Sequence, residues 1–314
     1  MTTSQPRFPM PRLFRRKRLL IVGCGACGLQ IVQQKARHWR IFATTTQASN
    51  RESLLAAGAT PLQVDLDLPP NRRRRWTALA AALIMLVPPP RTGDQDARTR
   101  RLAHLLRRQT RPIVAPRARP TRQRLIYIST SGVYGNADGR WIDETQPLRP
   151  QSDRAKRRID AENVLRRLGK TPRWSVGILR APGIYGPDRL PLKRLAAATP
   201  CINDDEDSYS NHISEVDLAR GALMALHRGR NQRVFNANDD QPMKIGAYFD
   251  AVADACGLPR PPRAPRQAVQ QALTPLQWSF LQESRRLCNR RLRKELRMTL
   301  RYPSVHDALA SFHR

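Results

Sequence analysis

Apolar residues fall along this chain in short unbroken runs, separated by stretches whose apolar positions recur at helical spacing. The run ending at Leu19-Leu20-Ile21-Val22 is followed by a helix-like pattern to about His38. Further runs follow at Arg40–Thr44, Thr60–Leu66, Leu83–Val87 and Leu125–Ser129. Runs this short, without polar alternation, predict strands buried on both faces. Residues 52–58, 95–108 and 153–168 supply helical patterns between and after them, the last through Ile159, Val164, Leu165 and Leu168. Pro88-Pro89-Pro90 ends the fourth run, because a central strand cannot contain prolines. Strands alternating with helices predict an α/β fold with a doubly wound parallel sheet of Rossmann type, whose ligands sit at the carboxyl ends of the strands.

The first run breaks into three spaced glycines, and this is where chemistry enters. Gly23 suits the tight turn after the strand, Gly25 lets backbone approach a pyrophosphate, and Gly28 lets helix and strand pack closely, with Cys24, Ala26 and Cys27 between them. The phosphates would rest on the helix N-terminus, where unpaired N–H groups and the helix dipole favour anions. Three glycines alone are a weak signal, and the strand–helix–strand unit of ~30 residues around them is the context that gives it weight. A NAD-specific protein normally places an acid about 20 residues beyond the glycines, at the ribose hydroxyls. Here Thr44-Thr45-Thr46-Gln47 stands in its place with Arg51 close by, and no acid occurs between Gly28 and Glu52. Hydroxyls with an arginine suit a 2′-phosphate, so NADP is expected over NAD, although Arg51 also fits an ordinary surface position. Asp65 could reach the adenine edge, and Leu66, Val87 and Pro88 complete the expected cofactor wall.

Composition changes the picture mainly through charge. The 314 residues carry 56 Lys+Arg against 25 Asp+Glu, a formal net charge of +31. Such a field attracts phosphates of any kind. No recognised nucleic-acid module or set of base-stacking aromatics accompanies it, so a solvated arginine-rich surface is favoured over nucleic-acid binding. Five cysteines, Cys24, Cys27, Cys201, Cys256 and Cys288, are too few and too scattered for a disulfide scaffold, and a reducing cytoplasm fits them. Cys24-x-x-Cys27 alone cannot fill a zinc site, and no metal is expected. No run approaches the ~20 apolar residues of a membrane helix. The twin arginines Arg15-Arg16 run into the glycine clamp rather than a leader, so export is not expected and residues 1–17 read as a basic flexible tail.

From Ile128 onward the motifs become more specific. Ile128-Ser129-Thr130-Ser131-Gly132-Val133-Tyr134-Gly135, Leu179-Arg180-Ala181-Pro182-Gly183-Ile184-Tyr185-Gly186-Pro187 and Asn211-His212-Ile213-Ser214-Glu215-Val216-Asp217 occur in that order. Val234–Asp240, Ser284–Asn289, Leu292–Leu296 and Tyr302-Pro303-Ser304 follow. With the clamp, this series resembles the extended short-chain dehydrogenase/reductase family of nucleotide-sugar epimerases and dehydratases, over about residues 18–314. The resemblance implies that Ser129, Pro182 and Ile184 lie against the cofactor. It also implies that Thr130 takes the position that hydrogen-bonds the reacting oxygen, and that Ser131, Tyr134, Tyr185, Asn211 and His212 line the substrate side. A strand-end capping role fits Thr130 equally well. Members of the family use Tyr-x-x-x-Lys on a helix, with a Glu one turn beyond the lysine. Placing Glu162 at that Glu puts Arg154 at the tyrosine position and Arg158 at the lysine position. A guanidinium stays charged and cannot shuttle a proton. These arginines read either as an anion clamp or as a solvated helix face. A shifted register with Ser152 and Lys156 restores a hydroxyl and an amine but loses the Glu162 spacing. The chain most resembles the atypical branch of the family, whose members keep the nucleotide clamp and often lack the catalytic residues.

The expected organisation is an NADP-binding domain over residues 18–187, rejoined by 211–240, with a smaller substrate region from 188–210 and 241–314. The acidic run Asn203–Asp207 is expected as a loop at the pocket rim. The expected activity is that of an NADP-dependent oxidoreductase, epimerase or dehydratase acting on a nucleotide-sugar-like or other small anionic molecule. The alternative is a non-catalytic NADP-binding sensor or scaffold. No membrane association is expected, and a homodimer is a candidate assembly.

Overall fold

The computed structural model describes residues 16–35, 38–69, 76–79, 81–108 and 122–312. Residues 1–15 of the tail expected over 1–17 lie outside them, and so do residues 109–121, rich in arginine and proline, whereas Lys17 opens the first strand. Seven strands form the central sheet: β1 (Lys17–Val22), β2 (Trp39–Thr45), β3 (Ala59–Gln63), β4 (Ala82–Met85), β5 (Gln123–Thr130), β6 (Trp174–Ala181) and β7 (Val234–Asn236). Their order is β3-β2-β1-β4-β5-β6-β7, and every pairing is parallel. Strand order therefore reverses between β1 and β4, the place where a doubly wound sheet opens a crevice at its carboxyl edge.

The unbroken apolar runs follow from burial on both faces. Leu19 and Ile21 of β1 point into one core with Ile31 and Val32 of α1 (Ala26–Lys35) and Leu218, Ala222 and Leu223 of α5 (Glu215–Arg228). Leu20 and Val22, one residue out of phase, point into a second core with Leu102 and Leu106 of α3 (Ala97–Arg107) and Ala161, Leu165 and Leu168 of α4 (Asp153–Gly169). The short α2 (Asn50–Ala56) adds Leu54 to the first core. A third core gathers Tyr185, Ile202 and Leu281 around Phe249 and Val252 of α6 (Ile245–Ala255) and Val305 and Leu309 of α7 (Val305–Phe312).

Local signals set the helix starts. Asp96 caps α3 by accepting from the Thr99 N–H at 2.9 Å, Ser152 caps α4 from Ala155 N–H at 3.2 Å, and Ser214 caps α5 from Asp217 N–H at 3.0 Å. Each such cap contributes about 1 kcal/mol. Asp217, fully buried, also accepts from the backbone N–H groups of Arg301 and Tyr302 at 2.8 and 2.9 Å. The Ser214-x-x-Asp217 motif thus starts a helix and anchors the C-terminal segment with the same carboxylate.

A buried polar lock joins α4 to the sheet. Glu162 accepts from Ser129 Oγ at 2.7 Å and from Arg180 through Nε at 3.0 Å and Nη2 at 2.7 Å, with the two charged side chains only 1% and 3% exposed. Burial disfavours the Arg180 charge, but the bonds and charge of Glu162 overcome this and hold the guanidinium more firmly protonated than in water. Removing one partner leaves an unpaired buried charge, so Glu162→Ala should lower stability by ~3–5 kcal/mol, while joint Glu162→Leu and Arg180→Met should lose much less. Urea unfolding of the two variants tests this, and equal losses would contradict the lock.

Candidate functional site

The glycine clamp sits at the carboxyl end of β1, beside the reversal of strand order. Gly23 has φ +84°, and a Cβ there would lie 2.6 Å from Val87 Cγ2 and 2.9 Å from Val87 N, so the position excludes a side chain on both conformational and steric grounds. Its N–H donates to Thr44 Oγ1 at 2.9 Å, and the Cys24 N–H donates to Thr44 O at 2.9 Å. A Cβ at Gly25 would meet nothing within 4 Å, leaving open space over the first turn of α1. A Cβ at Gly28 would press on Cys24 Sγ at 2.7 Å and come within 3.4 Å of Leu86 Cδ1. The cysteines are packing groups here: Cys24 and Cys27 are buried and free, and burial pushes both thiols up, Cys24 to about 12. A dinucleotide fits this donor set, because its pyrophosphate would meet an open glycine and the first turn of a ten-residue helix.

From the clamp a cleft of about 380 Å³ runs along the edge of the sheet. Gly23, Cys24 and Gly25, then Thr44, Thr45 and Thr46, then Asp65, Leu66, Val87 and Pro88 line it. Two hydroxyls are already used. Thr44 holds the Gly23 N–H, and Thr45 Oγ1 accepts from the Gln47 N–H at 3.2 Å. Arg51 does not line this cleft; it is exposed on α2. Gln47, the last of the four residues that stand in the place of the acid, takes part, as do Asn50 and Arg98, which nothing in the local sequence marks. Arg98 reaches in from the first turn of α3, held by Asp67 in a two-pronged pair (2.8 and 2.5 Å) and by Pro88 O at 3.0 Å. Asp65 accepts from the Asp67 N–H at 2.8 Å, which fixes the turn that carries this pair.

At the other end of the sheet edge, the Glu162 lock settles the register of α4. Ser152 is spent as the helix cap, and Lys156 is exposed and paired with Asp153 at 3.0 Å, so the shifted register brings neither group to the strand ends. Arg158, one turn before Glu162, is buried and reaches Tyr127 Oη at 2.8 Å, Ile128 O at 3.1 Å and Val87 O at 3.4 Å. It ties the carboxyl ends of β4 and β5 together and is not a solvated side chain. Arg154 is different. Its guanidinium lies over the Phe280 ring, 5.5 Å from the centroid, and makes no hydrogen bond or ion pair with a described residue. Partial burial and the neighbouring charges of Arg158 and Arg157 weaken its hold on its proton, which marks a cationic surrounding with no acid to balance it. Thr130 Oγ1 accepts from the Gly132 N–H at 3.3 Å, so the hydroxyl caps the turn after β5 and keeps its own proton free to donate. Ser129, on the opposite face of the strand, donates to Glu162 and is buried behind the site, away from the place a cofactor-contacting hydroxyl needs.

The residues expected on the substrate side are mainly framework. Tyr134 donates to Asn236 Oδ1 at 2.6 Å beneath the Arg180 guanidinium, and Tyr185 donates to Ser304 O at 3.3 Å. Both are 1% exposed, and burial pushes both phenols up, Tyr134 to about 12. Asn211 bridges Arg285 O and the Leu287 N–H at 3.0 and 2.7 Å. His212 stacks on Tyr248 with ring centroids 4.2 Å apart, and its Nδ1 is buried without a hydrogen-bond partner. Ser131 is buried in the turn after β5, and Pro182 and Ile184 lie half-buried just beyond β6. Arginines stand at 154 and 158, the positions that the resemblance assigns to the tyrosine and the lysine.

This sheet, with the clamp at its carboxyl edge, defines an α/β fold of Rossmann type. Residues 97–237, a little under half of the chain, match the model of the NAD dependent epimerase/dehydratase family. The dTDP-D-glucose 4,6-dehydratase of Homo sapiens is 24% identical over 131 residues, 39% of this chain and 37% of that protein, so the match spans little more than a third of the relative's length. A functionally unknown conserved protein from Silicibacter pomeroyi DSS shares the fold over 94% of this chain and 97% of its own, at 27% identity and a TM-score of 0.75. DesIV, a dTDP-glucose 4,6-dehydratase from Streptomyces venezuelae with NAD and TYD bound, superposes over 94% and 95% of the two chains with a TM-score of 0.70 and 18% identity, a likeness of fold.

Burial lowers the His212 imidazole from its ordinary range to about 3. In the unfolded chain it takes up a proton at pH ~6.5 that the folded protein refuses. Its contribution to stability is therefore complete above pH ~6.5 and is lost progressively as pH falls towards 3. His212→Phe, which keeps a ring against Tyr248, should flatten the fall of the urea midpoint between pH 6.5 and 4. An unchanged pH profile would place the loss elsewhere.

Proposed function

We propose that the protein is an NADP-dependent enzyme of the epimerase/dehydratase type, acting on a nucleotide sugar or another small anionic molecule in a reducing cytoplasm, and that it belongs to the atypical branch of its family. The observation that carries this reading is the cleft at the reversal of strand order, with Gly25 open over the N-terminus of α1. A nicotinamide dinucleotide held there would supply hydride transfer. The chain's own part is binding and orientation: Gly25 and the first turn of α1 receive the pyrophosphate, and Thr130 donates to the reacting oxygen. Arg154 offers an unpaired guanidinium to an anionic group of the substrate. Support for NADP comes from the missing acid after β2 and from Thr46, Gln47 and Asn50 along the cleft, although the DesIV structure contains NAD. The framework roles of Tyr134, Tyr185, Asn211 and His212 leave Thr130 and Arg154 as the substrate-facing groups.

Calorimetry with NADPH and NADH tests the cofactor, and NADPH should bind about tenfold tighter, a difference of ~1.4 kcal/mol. NADH binding equally well would overturn the NADP preference. With dTDP-glucose and UDP-glucose as first substrates, Thr130→Ala should lower kcat about 10²-fold, as expected when one donor to a developing oxyanion is removed. Undiminished kcat in that variant would remove Thr130 from the mechanism. The arginines at 154 and 158 favour a second reading, a dinucleotide-binding protein without turnover. Tight NADPH binding with no transfer of label to any member of a nucleotide-sugar panel would select it.

A further inference from the structure

The loop after β6 carries a cation to the cofactor clamp that no glycine motif reveals. Arg189 ends the turn Pro187–Arg189, and its Nη1 donates to Cys27 Sγ, in the first turn of α1, at 3.3 Å. A thiol is among the weakest acceptors in proteins. No other hydrogen bond or ion pair joins this exposed guanidinium to a described residue. Its approach to α1 is built in. Gly186 lets the loop close on the start of α5, since a Cβ there would lie 2.6 Å from Glu215 Cδ. Glu215 is 6% exposed, gives one oxygen to Gln30 at 3.2 Å and has the other, Oε2, buried without a partner. Its charge and that of Arg189 both act on Cys27, and Arg189 also stabilises the Glu215 carboxylate, so acid, guanidinium and thiol form one cluster beside the helix N-terminus. Gly25 and Ala26, which border this cluster, are exposed.

We propose that Arg189 is a second jaw of the cofactor site: a positioning residue that leaves the Cys27 thiol to pair with the pyrophosphate of the bound dinucleotide, while Glu215 keeps its guanidinium poised over α1. The inference rests on the dinucleotide-binding reading above. It adds that the loop following the Tyr185-Gly186-Pro187 motif closes on the cofactor from the side of the third core. A planar guanidinium with unused N–H donors can engage two phosphate oxygens at once. The contact is charge-assisted, and its loss corresponds to about tenfold or more in affinity.

The test measures NADPH, NADH and adenosine 2′-monophosphate binding to the full chain and to Arg189→Met and Arg189→Lys. Arg189→Met should weaken the preferred dinucleotide about tenfold or more, leave the pyrophosphate-free fragment unchanged and flatten the salt dependence of dinucleotide binding. Arg189→Lys should recover only part of the affinity, because an ammonium keeps the charge and loses the two-pronged contact. A wild-type chain that binds neither dinucleotide overturns the cofactor reading and this inference together. Wild-type binding that survives in Arg189→Met overturns the inference alone, and so does an equal loss for dinucleotide and fragment.

Discussion

Everything at the carboxyl edge of this sheet depends on where α4 lies, and the buried pair of Glu162 with Arg180 decides that. Arg180 belongs to β6 and Ser129 to β5, so one carboxylate on α4 is bonded to two adjacent strands. A helix held only by Ala161, Leu165 and Leu168 could slide along its apolar groove with little change in burial. A bidentate pair only 1% and 3% exposed cannot follow such a slide without leaving both charges unsatisfied. The pair extends outward: Arg180 lies over Tyr134, Tyr134 bonds Asn236 of β7, and Asn236 N–H donates to Glu144 at 2.8 Å. Four elements thereby share one polar network, and the register of α4 is a consequence of it.

That register separates holding from reacting. One turn before Glu162, the side chain at 158 must enter the gap between the ends of β4 and β5, and an arginine there satisfies Val87 O and Ile128 O. The geometry that would let a lysine reach a bound ribose lets an arginine brace the strands. One turn earlier, Arg154 escapes that gap and rests on Phe280, near other cations and without an acid. Its chemistry is limited to attracting negative charge, since a guanidinium does not exchange protons near neutral pH. Both positions on α4 thus carry groups suited to acceptors and anions.

How much of this was legible follows from the range of each interaction. Gly23 was legible because its constraint is local, a positive φ beside the next strand, and the run of strands was legible because burial on both faces removes polar alternation. The spacing of Arg154, Arg158 and Glu162 carried the helix register, and the buried lock accounts for it. Side-chain direction was not legible. Ser129 and Thr130 are neighbours that face opposite sides of β5, and only the packing of α4 says which one meets a ligand. Tyr134, Tyr185, Asn211 and His212 carry polar atoms that suggest a pocket, yet each is spent on framework contacts far along the chain. The pairings Arg98 with Asp67 and Arg189 with Cys27 join residues 31 and 162 apart, beyond the reach of any spacing rule.

The charge excess acquires a structural meaning from the same contacts. With 56 basic residues against 25 acids, most guanidinium groups cannot find a carboxylate. Several bind backbone oxygens instead: Arg157 at Gly93, Arg124 at Leu226 and Gly229, Arg228 at Leu296 and Arg286 at Gly139. Others lie on aromatic faces, as Arg194 does on Phe249 and Arg266 on Trp278. These carbonyls stand at helix ends and turns, where backbone acceptors lack partners, and a long planar donor reaches them without needing an acid nearby. Among the described residues, much of the positive charge is thus built into the fold. Arg154 and Arg189 rest on weaker partners than these carbonyls, a phenyl ring and a thiol.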